Sequence, residues 1–196
     1  MTPEATLIFT PDELLLNGVD IARELPKPLT PAAVYRALIG DYPKFFKMDF
    51  MSKLAFVASE FLLRNLSSDE CEFAAIAMFN SEGSLQTDRN HQLTIGHDST
   101  ECPASPATFV YTLPNIAAGE IAIRHKIMGP TCFFAVSNLD SPTTEMLIRT
   151  VSQDMPQPKD YSSVPPKQLA NINPRVLAVK IYSVEQEKFK IICYLY

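Results

Sequence analysis

Tryptophan is absent from this 196-residue chain, and histidine occurs only three times, as His91, His97 and His125. So few histidines leave little material for a histidine-based catalytic or metal site. No run of about 18 apolar residues occurs, which excludes a helix able to cross a membrane. The opening Met-Thr-Pro-Glu-Ala-Thr-Leu-Ile-Phe-Thr has neither the basic region nor the long apolar core of a secretory signal. No two of Cys71, Cys102, Cys132 and Cys193 make a C-x-x-C pair. An even number could form disulfides, but without a secretory signal they read as reduced thiols of a cytoplasmic protein. Also missing are G-x-x-x-x-G-K-[ST], G-x-G-x-x-G and G-x-S-x-G, so phosphate-loop, dinucleotide and hydrolase-elbow chemistry fails at the motif level. A net charge of −5 argues against nucleic acid as a partner, since that usually needs a basic patch.

What is present is an ordinary globular composition, 46% hydrophobic and 20% charged, enough for one well-buried domain over residues 1–196. Ala5–Thr10 reads as a first strand. Leu14 to Ile21 around Asn17-Gly18 reads as a type I′ hairpin, with a short helix as the competing choice. Thr30 can cap a helix over Pro31–Leu38 that Gly40 stops. Asp41–Asp49 is irregular, aromatic and lysine-bearing. Phe50–Leu66 is the strongest helix, with Leu54, Val57, Ala58, Phe61 and Leu62 on its apolar face, ended by Ser67-Ser68-Asp69. Phe73–Phe79 is a central strand. Asn80–Ser105 is a long polar loop. From Ala107 to Leu147 the pattern is turn, helix, turn, strand, turn, helix. Asn115 or Thr112 caps the first helix, Gly129-Pro130 stops it, and Thr131–Val136 is a buried strand. Ser137–Pro142 is turn chemistry, and Thr143 opens the next helix. Gln153–Pro174, with Pro156, Pro158, Pro165, Pro166 and Pro174, should cross the surface irregularly. Arg175–Tyr182 and Lys188–Tyr196 form a closing antiparallel hairpin. The order predicts an α/β layered fold.

Candidate chemistry is thin. His91 and His97, near Asp88 and Asp98, could hold a metal, but their spacing fits no common ligand pattern and solvated loop residues explain them. Cys132 lies inside an apolar strand, where an inert buried thiol is the plain reading. Glu120 and Arg124, four apart, suit a surface ion pair. The aromatics of Tyr42-Pro43-Lys44-Phe45-Phe46-Lys47 could meet an acidic partner or anchor into the core. No cofactor and no metal is expected.

Leu113-Pro114-Asn115-Ile116, the Gly119–His125 helix, Gly129-Pro130 and the strand after it resemble the first half of β-ketoacyl-[acyl-carrier-protein] synthases. Met51-Ser52-Lys53-Leu54-Ala55 resembles the family's Met-Ser-Arg-Leu-Ala helix. The resemblance covers about residues 45–150 and is greatest to short, Bacteroidetes-type ketosynthase-like proteins. It implies a thiolase-like half-fold: a mixed, mostly parallel sheet with helices on both faces and the C-terminal hairpin. The family's nucleophilic Cys falls, by distance from Gly129-Pro130, at Asn138 here, and Cys132 lies six residues too early. The second half that carries the family's histidine pair has no room in these residues. The resemblance therefore implies a non-condensing protein of fatty-acid or polyketide-type biosynthesis, acting as a dimer partner or an acyl-carrier-protein-binding accessory. An acyltransferase or thioesterase using Cys132, or a fold-only interaction module, is the alternative. The expected dimer, with a second copy or with a ketosynthase, forms through the 131–136 strand and the 114–126 helix. Its interface residues are Asn115, Glu120, Ile123, Cys132, Phe133 and Phe134, and Phe134→Lys should disrupt it. Lys44, Lys47 and Lys53 are the expected contacts to an acidic carrier protein.

Overall fold

The computed structural model describes residues 1–95, 105–153, 175–185 and 187–196. Strand β1 (Ala5–Phe9) pairs antiparallel with β2 (Leu14–Leu16), which pairs with the two-residue β3 (Val19–Asp20). The hairpin reading holds, because Asn17 (φ 51°) and Gly18 (φ 82°) both take the left-handed conformation that a type I′ turn needs. Thr30 Oγ1 accepts from Ala33 N at 3.1 Å and starts α1 (Pro31–Leu38), after which Gly40 turns with φ 75°. The segment that reads as irregular contains a 3-10 turn over Pro43–Lys47. Asp49 then caps α2 (Phe50–Leu63) through Ser52 N at 2.9 Å. Every residue of α2 from Leu54 to Leu63 is buried, so packing rather than an amphipathic pattern holds this helix. It ends three residues before Leu66. Ser67 does more than terminate it: with Glu70 it forms a capping box that opens the short helix α3 (Ser68–Glu72).

Strand β4 (Ala75–Asn80) follows, buried throughout. The expected 80–105 loop instead contains α4 (Leu85–Thr94), and residues 96–104 lie outside the described set. Polar side chains on every face of α4 hid its period from the sequence. A short α5 (Pro106–Val110) leads to α6 (Asn115–His125). Neither Asn115 nor Thr112 caps α6 by its side chain; Thr112 Oγ1 instead donates to Phe109 O at 2.7 Å. The helix closes on Lys126, left-handed at φ 58°, before Gly129 is reached. Gly129 has a different role. A Cβ there would overlap the Ala74 carbonyl oxygen, so the residue lets the α6–β5 turn lie against the start of β4.

Strand β5 (Thr131–Ala135) runs parallel to β4, and α7 (Pro142–Gln153) follows it. The proline-rich stretch falls on 154–174, outside the described residues. Strands β6 (Val176–Ser183) and β7 (Lys190–Leu195) make the expected antiparallel hairpin. The sheet order is β3-β2-β1-β7-β6-β4-β5. Strands β1, β3, β4, β5 and β6 run one way and β2 and β7 the other, giving the mixed sheet expected. Among the described residues, parallel neighbours occur only where β4 meets β5 and β6.

Alternation along each strand feeds two cores. Ile76, Met78, Leu177, Val179 and Ile181 pack with α2 and α6; Ala75, Ala77, Phe79, Val176 and Ala178 pack with α7. Helices thus cover both faces. Each fully buried Leu, Ile or Phe contributes about 1.5–3 kcal/mol of transfer free energy, and the first core holds most of them. One expectation needs correction. Strand β5 is apolar yet not fully buried: it ends the sheet, leaving Cys132, Phe133 and Phe134 half-buried.

Candidate functional site

Parallel strands deliver their carboxyl ends to one edge of the fold, and a cleft of about 910 Å³ opens there. Its walls come from the end of β4, the end of β6, the start of α2, α4 and Tyr111 after α5. Asn80 fastens this edge. Its Oδ1 accepts from Glu82 N (2.6 Å) and Gly83 N (2.9 Å), and its Nδ2 donates to Ile181 O (3.2 Å). Three bonds from one buried carboxamide join β4, β6 and the turn into α4. Thr87 Oγ1 donates to Asp49 Oδ2 at 2.7 Å, tying α4 to the α2 cap. Ser84 Oγ donates to the Thr112 carbonyl and holds α4 against the chain after α5.

Charge in the cleft is balanced. Lys47, Lys53 and Arg89 line it, opposed by Asp49, Glu82 and Glu185. The three expected carrier contacts therefore separate. Lys47 and Lys53 face the cleft without ion pairs among the described residues. Lys44 Nζ is 2.9 Å from Glu120 Oε1, which also accepts from Tyr111 OH at 3.3 Å. Burial and Glu120 together push the Tyr111 phenol up to about 12.

Glu120 itself is 3% exposed. The expected surface pair with Arg124 does not form, because Glu120 turns inward to Lys44 and Tyr111. Arg124 joins a second buried cluster. It donates to Glu60 Oε1 (2.9 Å) and Asp41 Oδ1 (2.8 Å), and His125 Nε2 lies 3.1 Å from Glu60 Oε2. Burial alone would raise the Glu60 carboxyl, but His125 and Arg124 outweigh it and hold its pKa down at about 2. The cluster clamps α2 to α6.

Asn138 sits exposed on the turn from β5 into α7. Val136 N donates to Asn80 O at 3.1 Å, so the turn leaves the sheet at the same edge as the cleft. Asn138 Oδ1 accepts from Asp140 N at 3.0 Å, and its carbonyl accepts from Thr144 Oγ1 at 3.1 Å. Asp140 ties the turn to β6: Tyr182 OH donates at 2.7 Å and the buried Lys180 Nζ at 3.2 Å. The Tyr182 hydrogen bond and Lys180 hold the Asp140 carboxyl below its usual range, while burial and Asp140 push the Tyr182 phenol up. A carboxamide on this turn supplies no nucleophile. Cys132 lies on β5, packed with the α7-side core, and its thiol makes no hydrogen bond among the described residues.

His91 lies on α4 with its ring 5.5 Å from Phe109, and His97 and Asp98 fall outside the described residues. Among the described residues no group of three His, Cys, Asp or Glu side chains could hold a metal ion. No helix among them is long and apolar enough to cross a membrane.

Of the remaining expected interface residues, Asn115 and Ile123 lie on α6 and Phe133 faces the same side of β5, whereas Cys132 and Phe134 face the α7 side. α6 packs beside β5 and turns Asn115, Gly119 and Ile123 away from its buried side. Ile123 is 62% exposed, and a Cβ at Gly119 would meet only open space. Phe133 packs on the α2–α6 core, while Phe134 stacks on Phe79 at 5.2 Å. Sequence reasoning missed Asn80, Glu60 and Asp140. A polar residue closing an apolar strand could have flagged Asn80. Nothing local pairs Glu60 with residues 124–125 or Asp140 with residues 180–182.

No family model and no curated protein matches the chain. Among solved structures, the ishigamide ketosynthase/chain length factor is similar with a TM-score of 0.64 and 16% sequence identity, over 98% of this chain. The matched region spans 60% of that chain's length. At this identity the likeness speaks to architecture: the chain has the thiolase-like fold of the ketosynthases.

Proposed function

We propose that this chain is a non-condensing, ketosynthase-like subunit of fatty-acid or polyketide-type biosynthesis. It pairs with a second copy or with a ketosynthase and meets an acyl carrier protein. The observation that carries the reading is an edge of the sheet left unpaired among the described residues. Strand β5 ends the order β3-β2-β1-β7-β6-β4-β5 with a half-exposed apolar sequence, and the outward stripe of α6 stands beside it. Such an edge invites another strand. Antiparallel pairing of β5 with β5 about a two-fold axis puts both α6 helices on the same face of the joined sheet. Gly119 then allows them to approach closely. The similar solved chain is titled a ketosynthase/chain length factor, which agrees with a paired role. Asn138 in place of a nucleophile supports the non-condensing part.

The test is sedimentation velocity on the chain alone and mixed with a ketosynthase. Ile123→Asp is the probe, because Ile123 is exposed and its loss leaves the core intact. Phe134→Lys is a poorer probe, since Phe134 stacks on Phe79 and a lysine there disturbs the fold itself. A wild-type dimer that becomes a folded monomer on Ile123→Asp is expected. A wild-type chain that stays monomeric in both experiments refutes the reading.

A further inference from the structure

The cleft at the carboxyl edge of β4 and β6 offers a hydrocarbon little to pack against. Its larger apolar lining residues belong to the core: Met48, Met51 and Tyr111 are buried, and Phe50 packs on Phe189 with ring centroids 5.8 Å apart. The groups left facing the opening are mainly polar and ionic.

Those charges have not paired with one another. Asp49 is committed, since it accepts from Ser52 N at 2.9 Å and from Thr87 Oγ1 at 2.7 Å. Lys47, Lys53, Arg89, Glu82 and Glu185 make no ion pair among the described residues, although both signs line one cleft. Their depths differ. Lys53 stands half-buried on the largely buried α2, whereas Glu82 and Glu185 are exposed. An ammonium drawn partly out of water without a partner has lost solvation that an anion restores. Asn80, 2% exposed, also lines the cleft. It spends one Nδ2 proton on Ile181 O and keeps the other without an acceptor among the described residues. An occupant with an anion inside and a cation at the mouth satisfies both signs.

We propose that the cleft binds a small zwitterion, of the amino-acid class, whose carboxylate reaches Lys53 and Asn80 and whose ammonium meets Glu82 and Glu185 at the rim. The site lies within one chain and rests neither on the pairing of β5 nor on a carrier protein.

A series of ω-amino acids from glycine to ε-aminocaproate, titrated into the full chain and followed by its backbone amide chemical shifts, tests it. Butyrate, butylamine and octanoate are the controls. The best member of the series binds at least about tenfold tighter than butyrate or butylamine, because one hydrogen bond to a charged group is worth about that factor. It shifts the amides around Lys53, Asn80 and Glu82. Lys53→Met weakens it at least about tenfold. The double variant Glu82→Gln/Glu185→Gln brings its affinity down to that of butyrate. Thermal unfolding checks each variant, and the rim variant, at two exposed positions, decides the matter if Lys53→Met unfolds. Butyrate bound as tightly as the best amino acid, or an amino acid bound equally by wild type and the rim variant, overturns the two-sign site. Octanoate bound more tightly than the series overturns it in favour of an acyl cleft. A wild-type chain whose cleft amides do not move with any amino acid of the series overturns it outright.

Discussion

Glu60→Gln probes the clamp between α2 and α6. Glu60 is 5% exposed and faces Arg124 and His125 of α6, with Asp41 on the far side of Arg124. Its carboxyl is held at about 2, well below the ordinary glutamate value of about 4.5. That depression corresponds to about 3 kcal/mol of stability at neutral pH. Because the folded pKa is depressed, the contribution is complete above the unfolded pKa and is lost as pH falls through the folded one. The working window is therefore pH 5 down to about 2. Urea denaturation of wild type and Glu60→Gln at pH 6 should differ by about 3 kcal/mol, and at pH 3 by about half of that or less. Glutamine keeps the shape and can still accept from Arg124, so the gap reports charge rather than a cavity. A gap that stays constant between pH 6 and pH 3, or one under about 0.5 kcal/mol at pH 6, refutes the argument that the Glu60 charge ties the helices together.

Two further outcomes follow from buried contacts. Gly129→Ala should lower stability by about 1–3 kcal/mol, seen as a lower urea midpoint, because its Cβ overlaps the Ala74 carbonyl oxygen; a neutral result would mean that the turn is free to shift. Lys44→Ala should cost about 1–3 kcal/mol by leaving Glu120 only the Tyr111 hydroxyl, and should lower the melting temperature at pH 7; an unchanged melting temperature would show that Glu120 is served by solvent.

Local pattern made much of this fold legible. Asn17-Gly18 announced its hairpin because few other residue pairs accept two left-handed positions in a row. Thr30-Pro31 announced α1, and the apolar density of Phe50–Leu63 announced the central helix. The two β-prone runs at the end announced β6 and β7. α4 was not legible. Polar residues surround it, and its place depends on Ser84 reaching Thr112 and Thr87 reaching Asp49, contacts that no short window contains.

The candidate site divides in the same way. Sequence alone determined that an asparagine closes the β5 turn, that Cys132 lies within the strand, and that α6 carries Gly119 and Ile123. Chain spacing and residue chemistry are local properties. Only the tertiary structure decided which charged groups are free. Glu120 and Lys44 left the candidate surface because they found each other across 76 positions, at 2.9 Å. Arg124 went to Glu60 and Asp41 rather than to the residue four positions away. A charged side chain facing the interior must take whichever partner the packing of distant elements brings, because leaving it unpaired costs more than any local preference returns.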